Sequence, residues 1–270
     1  MIKKIILIGC VALVAACTTT PAMSPSHIAS LHSGRMIVAS PGTAHPSLTA
    51  ARMSMTGTML EVAAGAVFGG EIYGLALANQ TGLRMSKIRK IDTVLSPYAA
   101  TLVNLYPRHE FMDISRSAAD HVHWMGKNPV VRMYAKPGEA GSAEKSHIAH
   151  ASSAQATVFV DYTFGFGLNL KSLAVKAHVQ VYSRGAHRGD LIDGTDLDAS
   201  VQLMKLAPPL KAHGFEAMAA SKLNDWAALG ARANVWFENG GARYKSAVAR
   251  DMAKLRFELT NYLNGRQGRK

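Results

Sequence analysis

The sequence predicts an α+β fold: a two-layer domain in which a mostly antiparallel sheet carries helices on one face. Three observations lead there. Residues 156–164, ATVFVDYTF, alternate in polarity with a period of two, and a second such run, LAVKAHVQVYS, follows across the loop GFGLN. The last stretch of the chain switches to helical spacing, with Tyr244, Val248, Met252, Leu255, Leu259 and Tyr262 recurring every three or four residues. Between them the elements run strand, helices, strand, hairpin, strand, helices, and no period of about 20–50 residues repeats.

Taken in order, RMIVA (35–39) reads as a short strand, followed by the Pro/Gly loop SPGTAHPS. LEVAAGAVFGGEIYGLALAN (60–79) places Gly65/Gly69 and Gly70/Gly74 four apart, each pair on one helical face where another backbone can approach closely. Each glycine disfavours an isolated helix by about 1 kcal/mol, so packing must compensate. The uncharged stretch Val62–Gly70 falls short of the ~20 residues that span a bilayer, and Glu71 interrupts the run. A helix packed inside a soluble core is therefore the expectation. A membrane-embedded or pore-forming oligomeric helix is the alternative.

MSKIRKIDTVLSPYAATLVNLY (85–106) reads as helical, with Ser96-Pro97 restarting the helix. PVVRMYA (129–135) reads as a strand, and the Gly/Ser/Ala-rich stretch 136–155 as a mobile loop. In the hairpin, Val158, Val160, Tyr162 and Phe164 share a face with Val175, Ala177, Val179 and Val181 opposite. Phe159, Asp161, Thr163, Lys176, His178, Gln180 and Tyr182 take the other face, as expected of a sheet covered on one side. ASVQLMKLA (199–207) is a third strand, ended by Pro208-Pro209. Residues 215–237 form an apolar stripe through Met218, Leu223, Trp226, Leu229 and Trp236; NGGAR (239–243) breaks it, and the final helix runs from 242 to 263.

The N-terminus bounds the location. Lys3 and Lys4 precede the apolar run Ile5–Ala16, the size of a signal-peptide core and too short to span a bilayer. Val14-Ala15-Ala16-Cys17 resembles the lipobox of bacterial lipoproteins. The resemblance covers only the first twenty residues. It implies cleavage before Cys17 and a diacylglycerol on its thiol, and Thr18 in place of Asp implies sorting to the outer membrane. An ordinary cleaved signal peptide is the alternative; Cys10 has too few apolar residues before it to serve as the lipidated position. Cleavage removes Cys10, leaving no thiol pair for a disulfide. The expected organisation is a signal peptide (1–16), lipidated Cys17 with a flexible Thr/Ser/Pro-rich tether (17–30), one α+β domain (31–264) and a frayed basic tail (265–270). The element order is similar to that of small α/β domains of outer-membrane accessory lipoproteins, the curli-secretion type included.

The chain carries 30 Lys+Arg against 18 Asp+Glu, a formal +12 that becomes +10 once Lys3 and Lys4 leave with the signal. In an envelope protein that charge points to anionic lipid or acidic glycan and away from nucleic acid; a merely solvated basic surface is the plainer reading.

Chemistry-bearing motifs are sparse. The sequence holds no G-x-S-x-G, no HExxH and no P-loop, and Gly165-Phe166-Gly167 leads into a strand, so it is no phosphate cradle. In DHVHW (120–124), an extended backbone would aim His121 and His123 at one metal ion, with Asp120, His109 or Asp113 completing the set. Asp190, Asp193, Asp196 and Asp198 could hold calcium, although their spacing misses the EF-hand and suits a polar turn equally well. Trp226, Trp236 and Tyr244 are core candidates before they are a binding surface, and the cations of the last helix form a solvated face by default.

These readings add up to an outer-membrane, periplasm-facing, lipid-anchored protein. Its expected role is non-enzymatic binding, scaffolding or assembly, with no cofactor. Its expected partners are the membrane, other envelope proteins and a second copy of itself. A periplasmic enzyme acting on cell-wall or lipid substrates, or an oligomeric secretion component, is the alternative.

Overall fold

The structure, a computed structural model, describes residues 22–39, 89–126, 129, 131–134, 141–167, 169–203 and 215–266. Cys17, the glycine-rich stretch 60–79 and Pro208-Pro209 lie outside the described residues.

Five strands, β1 (Gly34–Ala39), β2 (Val131–Tyr134), β3 (Ala156–Phe166), β4 (Ser172–Ser183) and β5 (Asp190–Gln202), form one sheet in the order β2-β1-β3-β4-β5. β1 pairs in parallel with β2 and β3, whereas the longer ladders, β3/β4 and β4/β5, are antiparallel. The parallel pairs require long crossovers, which the helices supply. Register follows the alternation legible in the sequence: Val158 faces Val181, Val160 faces Val179, Tyr162 faces Ala177 and Phe164 faces Val175. The tight hairpin loop closes through Leu170, whose positive φ of 54° turns its carbonyl to accept the buried indole N–H of Trp236 at 2.8 Å.

The helices are α1 (Pro25–Ala29), α2 (residues 89–95), α3 (Ala99–Asn104), α4 (Arg108–Asp120), α5 (Ser142–His150) and α6 (Phe215–Leu263). α4 and α6 cover the apolar face of the sheet, and the core between the layers is aromatic. The Phe111 and Tyr162 rings lie 5.0 Å apart, and those of Phe166 and Trp236 5.5 Å. Trp236 and Tyr244 are buried, as the helical spacing of the sequence favours. α6 is two arms: Asn239, Gly240 and Gly241 have φ of 52°, 66° and 76°. Such angles suit Asn and Gly, which is where the NGGAR break was expected.

The α+β class holds, but helices lie on both faces of the sheet rather than on one, and several local expectations change. Residues 142–150 are helical rather than loop: Lys145 of α5 is buried, and its Nζ donates to Asp161 at 2.6 Å and Gln180 at 2.9 Å. α5 sits on the face opposite α4 and α6, where Ile148 and Ala149 cover Ile37, Phe159 and Tyr182. β5 begins at Asp190, so the aspartate-rich stretch is strand; its carboxylates find donors across the ladder, Lys176 and His178, that offset their poor strand propensity. α4 has no counterpart in the sequence reading. Residues 23–30 are docked on the domain rather than forming a flexible tether, and Gly265 and Arg266 donate their N–H groups to Tyr262 and Asn261 rather than fraying. No helix among the described residues is long and apolar enough to cross a membrane.

Candidate functional site

The docked N-terminal strap is the most organised polar site. Its sequence, MSPSHIASL (23–31), places Pro25 at the first turn of α1 and closes it with Ser30 N–H on His27 O. Met23 and Leu31 are buried at either end. Between them the strap is bonded to two distant elements. Met23 N–H donates to Tyr262 O at 3.0 Å, at the C-terminal end of α6. Ser24 N–H donates to Asp193 Oδ2 at 3.1 Å and His27 Nδ1 to the same oxygen at 3.2 Å. The other oxygen, Oδ1, accepts from Tyr262 Oη at 2.8 Å and from Gly194 N–H at 2.8 Å.

A β-bulge builds this site. Val181 pairs with Asp193 but Tyr182 pairs with Leu191, so Ile192 is the extra residue. Asp193 stays on the helix-covered side, while Leu191, which an unbroken alternation would place beside it, turns to the opposite face. The electrostatics favour an anion there. Burial alone would raise the Asp193 pKa, but the donors Ser24, Tyr262, His27 and Gly194 together hold it below the ordinary carboxylate value. Burial and the Asp193 carboxylate both push the Tyr262 phenol up, so it remains a donor. Gly265 completes the joint. Its φ of 66° caps α6, and a Cβ there would meet Ile28 of the strap at 2.5 Å.

The residues proposed for metals are placed elsewhere. His121 caps α4 and donates from Nδ1 to Ser117 O at 2.6 Å, while His123 opens a 3-10 turn, so the extended geometry that would align the two is not formed. Asp120 and His109 lie on exposed turns of α4, where Asp113 pairs with Arg116 at 3.9 Å. The four aspartates of β5 diverge. Asp193 faces the strap, Asp196 accepts from His178 at 2.7 Å, Asp198 lies 3.2 Å from Lys176, and Asp190 lies 3.9 Å from Arg188. Among the described residues no three His, Cys, Asp or Glu side chains gather into a metal-binding group. Trp226 is 38 % exposed beneath Lys90 Nζ, which sits 5.8 Å from its ring, while Trp236 and Tyr244 are core. Sequence reasoning missed Ser24 and His27 and took Tyr262 for plain core; their partner lies 166–169 residues away for the strap and 69 for Tyr262, so no local pattern signals the cluster.

No protein-family model matches the chain, and no curated protein does. Solved structures that are similar at low scores include two of bacterial proteins. One is the hypothetical protein CT253 from Chlamydia trachomatis, 12% identical, with a TM-score of 0.26, covering 59% of this chain and 87% of its own. The other is a candidate lipoprotein from Caulobacter crescentus CB15, 12% identical, with a TM-score of 0.19, covering 57% and 83%. Scores of this size establish no shared fold or role.

Proposed function

We propose that the protein is a lipid-anchored component of the bacterial envelope whose domain is held close to the membrane as a non-enzymatic binding or scaffolding element. The observation that carries this reading is the strap. Met23, already buried and hydrogen-bonded, lies only six residues beyond the lipobox Cys17. At ~3.3–3.6 Å per residue, six residues reach about 20 Å at most even if fully extended. A tether ending at residue 30 would let the domain roam; one ending at Met23 fixes which end of the domain lies next to the bilayer. Thr18 in place of Asp after the acylated cysteine supports sorting to the outer membrane, and we place the domain on its periplasmic side. The absence of nucleophile and metalloenzyme motifs in the sequence favours binding over catalysis.

Metabolic labelling with an alkyne fatty acid and membrane fractionation test this. The wild-type chain is expected to carry label and to sediment with the outer membrane, and Cys17→Ser to lose both. An unlabelled wild-type chain, or a Cys17→Ser chain still in the membrane fraction at its mature mass, would sink the reading.

A further inference from the structure

The exposed side of the second arm of α6 is basic. Arg243, Lys245, Arg250, Lys254 and Arg256 are all exposed there, and the acids of the same arm, Asp251 and Glu258, are buried. Among the described residues, Arg243, Lys245, Arg250 and Arg256 form no ion pair; Lys254 alone pairs, with Glu258 at 3.6 Å, and also donates to Asp198 O at 3.0 Å. Phe257 stands out of this basic face with 60 % of its surface exposed. Arg243, Arg250 and Phe257 are seven apart, hence on one stripe, with the small exposed residues Ala249 and Ala253 between them. A large apolar side chain among unpaired cations, with no exposed carboxylate on the arm, is the composition of a surface that rests at a lipid interface.

The strap marks which end of α6 lies near the anchor. Met23 is bonded to Tyr262, five residues after Phe257 and about 7.5 Å farther along the helix axis. The linker to Cys17 therefore leaves from the same end of α6 that carries Phe257. An attached bilayer is presented to this face at high effective concentration, so contacts too weak to recruit a free protein suffice to orient a tethered one.

We propose that Arg243, Arg250, Arg256 and Phe257 lie on the anionic phospholipid surface to which Cys17 is anchored, with Phe257 entering the head-group layer. The proposal rests on the lipid-anchored reading above and adds the orientation of the domain. The polar face of the sheet, on the side opposite α6, is then turned away from the bilayer.

The test uses the acylated protein reconstituted in vesicles. Cys10 leaves with the signal peptide and Cys17 is blocked, so Ala253→Cys supplies one thiol on the stripe and Leu191→Cys one on the opposite face of the sheet. Each is labelled with an environment-sensitive dye. In phosphatidylglycerol-containing vesicles the dye at 253 is expected to shift to the blue and to be quenched by nitroxide lipids, and the dye at 191 to stay aqueous. Pure phosphatidylcholine, or Arg250→Gln with Arg256→Gln, should weaken the contact by about thirtyfold, and Phe257→Ser should weaken it in both lipids. A dye at 253 that stays aqueous in every vesicle, or that is shielded without nitroxide quenching, as a protein contact would do, overturns the proposal. Equal burial with and without anionic lipid overturns it too. Intact mass separates the two failures: an unacylated Cys17 overturns both readings, whereas an acylated chain with an aqueous dye overturns this one alone.

Discussion

Tyr262 donates its phenolic proton to Asp193 at 2.8 Å, joining the last turn of α6 to the edge strand β5 across 69 residues, and the strap closes over that bond. Every donor around Asp193 bonds the charged carboxylate, so this side chain adds a charge-dependent contact to the burial of Met23 and Leu31 and the Met23–Tyr262 backbone bond that also hold residues 23–31.

Asp193→Ala is expected to remove about 2–4 kcal/mol of stability, because Tyr262 and the Ser24 amide lose their acceptor in a partly buried place. Amide exchange over residues 23–31 should accelerate more than in the sheet, and Asp193→Asn should retain part of the protection. The sign of the pH effect follows from a folded-state pKa below the ordinary value. The contribution is complete above the unfolded carboxylate pKa and is lost as pH falls through the folded one, so acid undocks the strap. Strap exchange, corrected for intrinsic rate, that is unchanged in the alanine variant would contradict this.

Asp251 behaves in the opposite sense. It is 1 % exposed on α6, and its Oδ2 has no hydrogen-bond partner among the described residues. Burial pushes its pKa up to about 7, against the opposing pull of Lys254 and Arg250, with Asp198 adding to the rise. A raised folded-state pKa means stability that is complete below the unfolded carboxylate value and declines as pH rises toward 7. Asp251→Asn should flatten that decline and stabilise the protein above pH 7 by about 1–3 kcal/mol. Parallel denaturation curves of the two proteins across this range are the check, and an identical pH slope would refute the assignment.

The Lys145–Asp161 pair is buried, whereas Lys176–Asp198 is half exposed on the same face of the sheet. Asp161→Ala should cost about 3–5 kcal/mol, since it strands a buried ammonium. Asp198→Ala should cost no more than about 1 kcal/mol. Lys145→Met combined with Asp161→Leu should recover most of the first loss. Urea midpoints rank the four proteins, and equal losses at the two sites would contradict the distinction.

Gly34 opens β1 against the ring of Trp124, and a Cβ there would lie 2.3 Å from Cζ3. The ring cannot swing away freely, because its indole N–H is held by Leu263 O at 2.8 Å. Gly34→Ala should therefore destabilise by about 1–3 kcal/mol and perturb the near-ultraviolet signal of Trp124. A neutral substitution would mean that the indole bond is dispensable.

How much of this was legible in the sequence depends on range. The β3/β4 hairpin, its register and its two faces follow from alternation alone, because Val160 and Val179 each report their own side. The break at Asn239–Gly241 was legible because the chain needs positive φ there. β5 was hidden by its composition: aspartates disfavour strands in isolation, and the donors that pair with them, Lys176 and His178, lie on the neighbouring strand. α5 was hidden because it buries a lysine, whose partners Asp161 and Gln180 belong to other elements. The strap was hidden most completely, since Met23 to Leu31 have the Ser/Pro content of a linker and acquire their order from distant residues, Asp193, Tyr262 and Gln155.

We propose that Cys17 fixes the polypeptide to a bilayer a few residues ahead of a strap that holds the domain against it. Intact-mass spectrometry of the protein extracted from cell membranes tests this most directly. The expected chain starts at Cys17 and carries the added mass of diacylglycerol and an amide-linked fatty acid. A chain that retains residues 1–16, or that starts at Cys17 without acyl mass, would contradict it.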